Sequence, residues 1–200
     1  TPFSLVYLVM DPGYTKQNLQ RIQENAALLE IPICIRKKKI FEVTAKTEKS
    51  PCYLCARMRR GCLYKLAQEL GCNKIALGHH FDDVVETILM SLLYGAEAKT
   101  MMPKLHSSHY PGMELIRPLY LVKEADILAW RDRHHLKFLQ CACRLTEGLD
   151  QGHMESKRQE MKRLLAQLQR MHPAAGRNLF LSMQNVNLET LIGYKSGDDS

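Results

Sequence analysis

The sequence contains no run of about 18 apolar residues, the length that a membrane-spanning helix requires. No charged segment followed by an apolar one opens the chain, so there is no sign of a signal peptide. Internal repeats and low-complexity tracts are also lacking. We therefore expect a soluble, cytoplasmic, globular protein without a membrane partner.

Cysteine is too scarce for a disulfide-rich secreted module: there are seven in 200 residues, an odd number. Reduced thiols, metal binding or catalysis explain them better. A chain of this length with 46% hydrophobic residues can bury a core in one large or two small domains. The net charge of +7 is compatible with a polyanionic partner, although a basic surface also favours solubility.

Strand-like and helix-like segments alternate along most of the chain. Residues 3–11 are rich in β-branched and aromatic side chains and end in Asp-Pro-Gly-Tyr, which predicts a strand and a turn. Thr15 is the predicted N-cap of the helix that follows. The alternation predicts an α/β, doubly wound, mostly parallel sheet with a small C-terminal helical part. Further strands are predicted at 31–40, 73–78, 113–119 and 136–139, a loop at 95–112, and helices at 53–70, 82–94, 125–135, from 154 to the break at Pro173, and 180–186.

The densest polar segment follows the predicted third strand. Gly78, His79, His80, Asp82 and Asp83 precede or begin a strongly apolar-periodic helix. Helix capping explains one aspartate. Each histidine could be an imidazole ligand, an acid–base group or a partly buried turn residue, and a structural role is favoured when it is taken alone. Two carboxylates at a strand-to-helix turn are also suited to hold Mg²⁺ against a phosphate, with an arginine or lysine nearby to offset the phosphate charge.

The cysteines fall into two groups that a sheet could bring together. Cys52 and Cys55 form a C-x-x-C at a predicted helix N-terminus, which favours thiolates. Cys141 and Cys143 follow the last predicted strand. Strand ends and helix starts share one edge of a parallel sheet, so a zinc site or an iron–sulfur cluster is indicated, with a redox pair or incidental thiols as alternatives. The remaining cysteines lie within or beside apolar runs and are predicted core thiols: Cys34, Cys62 and Cys72.

Basic residues cluster in three places. Such clusters are most often solvated faces, and contacts with backbone phosphates are the sharper alternative. They comprise the run 36–39, the early turns of the second predicted helix (Arg57, Arg59 and Arg60), and the start of the C-terminal helical region (Lys157, Arg158, Lys162 and Arg163).

Five segments, taken in this order, resemble the tRNA 2-thiocytidine synthetase family of the PP-loop ATP pyrophosphatase superfamily. The first two motifs are specific in their order and spacing, whereas Arg-Pro-Leu and Met-Gln-Asn-Val are each weak alone. The segments are Cys-Tyr-Leu-Cys-Ala-Arg-Met-Arg-Arg-Gly at 52–61, Ala-Leu-Gly-His-His-Phe-Asp-Asp-Val-Val-Glu-Thr at 76–87, Met-Pro-Lys-Leu at 102–105, Ile-Arg-Pro-Leu at 116–119 and Met-Gln-Asn-Val at 183–186.

The resemblance implies a Rossmann-like fold of the adenine nucleotide α-hydrolase type. It implies a PP-loop-type domain over 1–145, a helical extension over 146–195 and a disordered tail at 196–200. The implied enzyme uses ATP, Mg²⁺ and a [4Fe-4S] cluster to adenylate a tRNA cytidine at C2 and to replace the oxygen with sulfur. Its implied partners are tRNA, a sulfur donor (a cysteine desulfurase or sulfide) and a second subunit in a homodimer.

The resemblance also assigns roles to individual residues. Asp82 and Asp83 are the implied catalytic carboxylates. Cys52, Cys55 and Cys141 are the implied cluster ligands, with Cys143 as the alternative third ligand because its spacing is shifted. The implied cofactor-binding residues are Asp11, Gly78, His79 and His80, and the implied RNA-binding residues are Arg57, Arg59, Arg60, Lys104 and Arg117.

One family feature is not found in the sequence. Relatives cradle the ATP pyrophosphate with a Ser-Gly-Gly-x-Asp-Ser loop after their first strand, and no such loop occurs here. We therefore expect that the chain is N-terminally truncated, lacking the first strand and the phosphate loop, and that this polypeptide does not hydrolyse ATP efficiently. A split or degenerate protein is the alternative. Two other functions stay open: a zinc-stabilised nucleic-acid-binding module, and a PP-loop relative that adenylates or thiolates another substrate.

Overall fold

The computed structural model describes residues 3–38, 51–139 and 157–194. The predicted domain boundary at 145 and the predicted tail at 196–200 lie outside these residues, so both stay predictions. The chain forms two compact units. The first unit comprises residues 1–78, 103–118 and 124–154, and the second comprises 79–102, 119–123 and 155–200.

Strands and helices alternate through the first half of the chain, as the sequence predicts, and helices dominate the end. In chain order the elements are β1 (Tyr7–Asp11), α1 (Lys16–Leu28), β2 (Ile33–Lys37), α2 (Pro51–Glu69), β3 (Lys74–Ala76), α3 (Phe81–Gly95), β4 (Lys104–His106), β5 (Glu114–Ile116), α4 (Glu124–Arg133), α5 (Lys157–Met171), α6 (Ala175–Ser182) and a 3₁₀ turn (Leu188–Thr190). Thr15 caps α1 as predicted, because its side chain accepts a hydrogen bond from the Asn18 amide.

The strands of the first unit form two small sheets. β1 and β2 are parallel, with Tyr7 opposite Ile33 and Asp11 opposite Lys37. β3 and β5 are also parallel, and β4 adds to β5 in the antiparallel direction. Helix α2 packs against both β1 and β3. The parallel pairs agree with the prediction, whereas β4 lies inside the segment predicted to be a loop.

The core of the first unit lies where α2 meets the second sheet. Ala67 of α2 is fully buried and packs with Ile75 of β3 and Leu115 of β5. The ring of Tyr64 stacks on that of Tyr110, with centroids 4.7 Å apart. This aromatic pair adds contact energy to the apolar burial and fixes α2 against the loop before β5.

The second unit is a helical cluster built on α3. Val84 and Val85 are fully buried and pack with Met161 and Leu165 of α5 and with Phe180 of α6. At the other end of α3, the Tyr94 hydroxyl donates a hydrogen bond to Glu160, which raises the pKa of Tyr94. The Lys157 ammonium lies 4.5 Å from the centre of the Tyr94 ring. Both polar contacts join the first turn of α5 to the last turn of α3.

Two predicted elements are wrong. The strand predicted at 136–139 is absent, because the chain leaves α4 through a left-handed turn at His135 and the Leu136 amide donates to the Arg131 carbonyl. Leu136 is buried at this cap rather than in a strand. The short helix predicted at 180–186 instead spans Ala175–Ser182, since it begins directly after Pro173 and Ala174.

Some predicted core positions are also wrong. Leu89 is buried as predicted, but Leu92 and Leu93, in the last turn of α3, are exposed. Leu70 at the end of α2 and Met171 at the end of α5 are exposed in the same way. The predicted apolar faces are correct over the middle of each helix, and they end where the packing partner ends. Among the described residues, no helix is long and apolar enough to cross a membrane.

Candidate functional site

The polar segment before α3 forms a compact cluster in the second unit. His80 is the N-cap of α3, and its backbone N–H donates to Asp83 Oδ2 at 3.1 Å. The imidazole Nε2 lies 3.4 Å from the same oxygen, and Nδ1 lies 3.8 Å from Asp82 Oδ2. One aspartate therefore performs the capping role that the sequence suggested. The second carboxylate lies beside the same imidazole and is not needed for the cap.

Helix α5 supplies a cation to this cluster. Arg158 Nη1 donates to Asp83 Oδ1 at 2.9 Å, and its Nε lies 3.8 Å from Glu86 Oε2. Arg158 Nη2 donates to Thr87 Oγ1 at 3.4 Å, and that hydroxyl donates to the Asp83 carbonyl at 2.7 Å. Both Asp83 oxygens are therefore occupied by hydrogen-bond donors. Glu86 is only 4% exposed, so the guanidinium also compensates a buried carboxylate.

This cluster is suited to bind a cation together with a phosphate, rather than a cation alone. Asp82 and Asp83 both lie in the first turn of α3, where backbone N–H groups and the helix dipole favour anions. Within the described ranges, no three His, Cys, Asp or Glu side chains are grouped so that they could hold a metal ion. Mg²⁺ commonly takes one or two protein carboxylates and completes its shell with water and substrate phosphates.

Two other predicted cofactor-binding residues lie in the first unit. Asp11 ends β1 and is 3% exposed, and its Oδ1 accepts hydrogen bonds from the amides of Gly13 at 2.8 Å and Tyr14 at 2.6 Å. Its observed contacts therefore form the turn after the strand. A Cβ atom built on Gly78 would meet no atom within 4 Å, so the space beside this glycine is open.

The cysteine groups are only partly described. Positions 52 and 55 are three residues apart at the N-terminal end of α2, and Cys141 and Cys143 lie outside the described residues. A cavity of about 430 Å³ in the first unit is lined by residues of β1 and α1, and also by Arg59 and Leu63 of α2 and by Phe138 and Leu139. Arg59 and Leu63 follow the C-x-x-C along α2, and Leu139 is two positions before Cys141. Cys34, Cys62 and Cys72 are free thiols of intermediate burial.

The predicted RNA-binding residues do not share one environment. Three of them, Arg57, Arg59 and Arg60, are exposed on α2, and Arg59 also lines the cavity. Lys104 Nζ lies 2.7 Å from Glu114 Oε1, and Arg117 is half-buried. The Lys104 ammonium is therefore already paired within the sheet.

Comparison with known proteins identifies the family. A sequence profile of the PP-loop domain matches residues 12–144. The tRNA-cytidine(32) 2-sulfurtransferase of Syntrophotalea carbinolica is 35% identical over 195 residues, which cover 95% of this chain and 72% of that protein. The chain belongs to the PP-loop family. Within it, the chain groups with the tRNA-cytidine(32) 2-sulfurtransferases, which confirms the family predicted from the motifs.

Other relatives are matched over only part of their own length. The corresponding enzyme of Nitrosospira multiformis is 34% identical over 96% of this chain and 63% of that protein. The chain thus spans about three-fifths of the length of most curated relatives compared. The U34-tRNA thiolase NcsA from Methanococcus maripaludis, solved with its [4Fe-4S] cluster, has a TM-score of 0.68 at 20% identity and covers 92% of this chain and 63% of that one. This likeness confirms the predicted α/β fold class.

Sequence reasoning missed one contact in this PP-loop protein. Arg158 lies in a basic cluster for which phosphate contacts are one alternative, and the structure pairs it with Asp83 and Glu86. Nothing local to residue 158 indicates this partner, because the two side chains are 75 positions apart. The abundance of cations at the start of α5 was the only available signal, and it did not distinguish RNA from a carboxylate as the partner.

Proposed function

We propose that this PP-loop protein takes part in ATP-dependent 2-thiolation of a tRNA cytidine with the help of a [4Fe-4S] cluster, while the chain itself, without a Ser-Gly-Gly-x-Asp-Ser loop, is expected to hydrolyse ATP poorly. The names of its curated relatives support the substrate and the reaction. The thiolase with a similar fold carries a cluster of the proposed kind. The proposed location is the cytoplasm, where the tRNA substrate is found.

The observation that carries the proposal is the cavity of about 430 Å³ in the first unit. Its lining includes α2 residues that follow Cys52 and Cys55 and two residues that precede Cys141. Two described segments that adjoin the cysteines in the sequence therefore line the same cavity, which supports a cluster bound by distant cysteines. We propose Cys52, Cys55 and Cys141 as the three ligands, with Cys143 as the alternative to Cys141. When bound by three cysteines, the cluster would supply an iron that has a coordination position open to sulfide.

The acidic cluster is the proposed site of activation. Asp82 and Asp83 would hold Mg²⁺ against the phosphates of ATP, with His79, His80, Gly78 and Asp11 as further proposed nucleotide-binding residues. Because Asp83 is already hydrogen-bonded by His80 and Arg158, its carboxylate is held in one orientation before ATP arrives. Arg158 lies where it can also compensate phosphate charge.

The proposed reaction has two steps. The cytidine O2 attacks the α-phosphorus of ATP, and pyrophosphate leaves, so that the oxygen on C2 becomes part of a good leaving group. A sulfur nucleophile then adds to C2, and AMP leaves with the oxygen. The residues of this chain orient the phosphates, stabilise the charge that develops on them and exclude water from the activated base.

The proposed partners follow from this chemistry. A tRNA supplies the cytidine, and the exposed Arg57, Arg59 and Arg60 of α2 offer contacts for its phosphates. A cysteine desulfurase or free sulfide would be the sulfur donor. A homodimer is part of the same proposal, based on the family resemblance.

Analysis of tRNA nucleosides from a deletion strain tests this function. Loss of 2-thiocytidine on deletion, and its return when the gene is restored, would support the proposal. If 2-thiocytidine persists in the deletion strain, the protein acts on another substrate. If the nucleoside is lost but the anaerobically purified protein binds one zinc and no iron, the cluster part of the proposal fails.

A further inference from the structure

A second, smaller cavity lies beside the acidic cluster in the second unit. It measures about 210 Å³, far above the roughly 10–15 Å³ that one water molecule needs. Phe81, the first residue of α3, forms part of its wall and directly precedes Asp82 and Asp83. The Phe81 amide donates to the Val122 carbonyl at 2.9 Å, which fixes the neighbouring Lys123 at the cavity. The cavity therefore adjoins the residues proposed to hold ATP.

Two of the three polar side chains that line this cavity are cationic. They are Lys123 and Arg177, the third is Gln169, and none of the described carboxylates lines it. In the part of the chain that the structure describes, neither of these two side chains makes a hydrogen bond or an ion pair. Most other cations around the acidic cluster already have partners: Arg158 pairs with Asp83, and Lys157 lies over Tyr94. Two unpaired cations that converge on one cavity fit an anionic ligand.

Apart from Gln169, the rest of the wall is apolar. Phe81, Leu121 and Pro173 supply carbon surface, and the Leu121 side chain is 69% exposed. Gly176 is buried behind the cavity, where an added Cβ would approach Gln169 Nε2 to 3.0 Å, so α6 and the Gln169 amide are closely packed. Cations beside apolar surface suit single-stranded RNA, because phosphates pair with the cations and unstacked bases lie on the apolar surface.

We propose that this cavity is a subsite for single-stranded tRNA. Lys123 and Arg177 bind a backbone phosphate next to the target cytidine, and the Phe81–Leu121–Pro173 wall contacts a flanking base. The inference rests on the proposed function and extends it, because it names where the nucleotide beside the reacting one is held. A free nucleotide phosphate offers the same chemistry as an RNA phosphate, so the experiment must separate the two.

Fluorescence anisotropy with a labelled RNA hairpin separates them. Lys123→Ala, Arg177→Ala and the double variant are compared with wild type and with Arg133→Ala, a variant that removes an exposed cation of the first unit. For the double variant we expect about tenfold weaker RNA binding and a salt slope that is shallower by about one, with Arg133→Ala unchanged. Arg177→Lys should retain most of the affinity, since a backbone phosphate needs the charge more than the guanidinium geometry.

Titration with ATP is the second arm of the experiment. ATP affinity should be the same in the double variant and in wild type. A loss of ATP affinity with unchanged RNA affinity would overturn the subsite and would assign the cavity to the nucleotide. Equal RNA affinity of wild type and double variant would overturn the subsite alone. Failure of the wild-type protein to bind RNA would overturn the proposed function together with it.

Discussion

Arg158 donates a hydrogen bond to Asp83 across 75 positions of sequence, and the two atoms that meet, Nη1 and Oδ1, are 2.9 Å apart. The same guanidinium reaches Thr87 and approaches the buried Glu86. Helix α5 is therefore part of the acidic cluster, and it contributes charge as well as apolar packing.

Arg158→Ala should lower the free energy of unfolding by about 1 kcal/mol, because it removes charge-assisted hydrogen bonds from a side chain that is partly exposed. Urea denaturation measures this change. Arg158→Lys should recover only part of it, since an ammonium cannot bridge Asp83 and Thr87 as a planar fork does. Arg133→Ala is the matched control, and an equal loss of stability in that variant would show that the Arg158 contacts contribute nothing specific.

Ile88→Ala should destabilise the protein by about 2–5 kcal/mol, because Ile88 is fully buried in α3 and truncation leaves a cavity. Leu93→Ala in the same helix should cost far less, since Leu93 is 58% exposed. Thermal and urea unfolding of the two variants give the comparison. Similar losses in both would contradict the packing of α3.

Ionisation of Glu114 makes the stability of the folded protein depend on pH in the acid range. Hydrogen bonds from Lys104 and Lys74 lower the pKa of Glu114 from 4.5 to about 2. Because the pKa is lower in the folded state than in the unfolded chain, the stabilisation is fully present above about pH 4.5 and is lost as the pH falls toward 2. Glu114→Gln should therefore be less stable than wild type near neutral pH, and the difference should shrink across this window.

Urea denaturation of wild type and Glu114→Gln at a series of pH values checks this effect. Glu69→Gln is the control, because Glu69 is exposed at the end of α2 and has no described ionic partner. A difference between wild type and Glu114→Gln that stays constant down to the lowest pH would mean that the two lysines do not hold this carboxylate ionised.

The cysteine assignment predicts which thiols bind iron. Cys52→Ser, Cys55→Ser and Cys141→Ser should each reduce the iron bound after anaerobic reconstitution from about four atoms per chain to about one or none. Cys62→Ser should keep its iron, since Cys62 is a free thiol farther along α2. Iron analysis and absorption spectra provide the measurement. Retention of iron in Cys141→Ser with its loss in Cys143→Ser would move the third ligand to Cys143.

The sequence predicted the parts of the fold that depend on local periodicity. The apolar repeat of α3 and the alternation of β1, α1 and β2 place these elements correctly, because each pattern is written in consecutive residues. Strand β4 was missed because it has only three residues, all exposed, which is too short a segment to give a strand pattern. Leu92 and Leu93 continue the periodic pattern, and only the packing of the helices shows that nothing in the described chain covers them.

The candidate site was likewise predicted where its residues are contiguous in the sequence, and missed where distant segments meet. The motif around His80, Asp82 and Asp83 is contiguous, so the sequence alone identified it as the polar centre of the protein. Contacts between distant segments are set by tertiary packing. Arg158 reaches Asp83, and Lys123 and Arg177 line one cavity, only because α5, α6 and the 119–123 segment pack around the start of α3.

The most direct test of the proposed chemistry is the 2-thiocytidine content of tRNA from a deletion strain that expresses Asp83→Asn. This change keeps the size of the side chain and removes its charge. We expect 2-thiocytidine formation to fall by about a hundredfold or more relative to wild type, as for the loss of a group that stabilises developing charge. The Glu114→Gln variant should keep near-normal levels at neutral pH. Wild-type levels of 2-thiocytidine in the Asp83→Asn strain would contradict the assignment of the acidic cluster as the centre of the reaction.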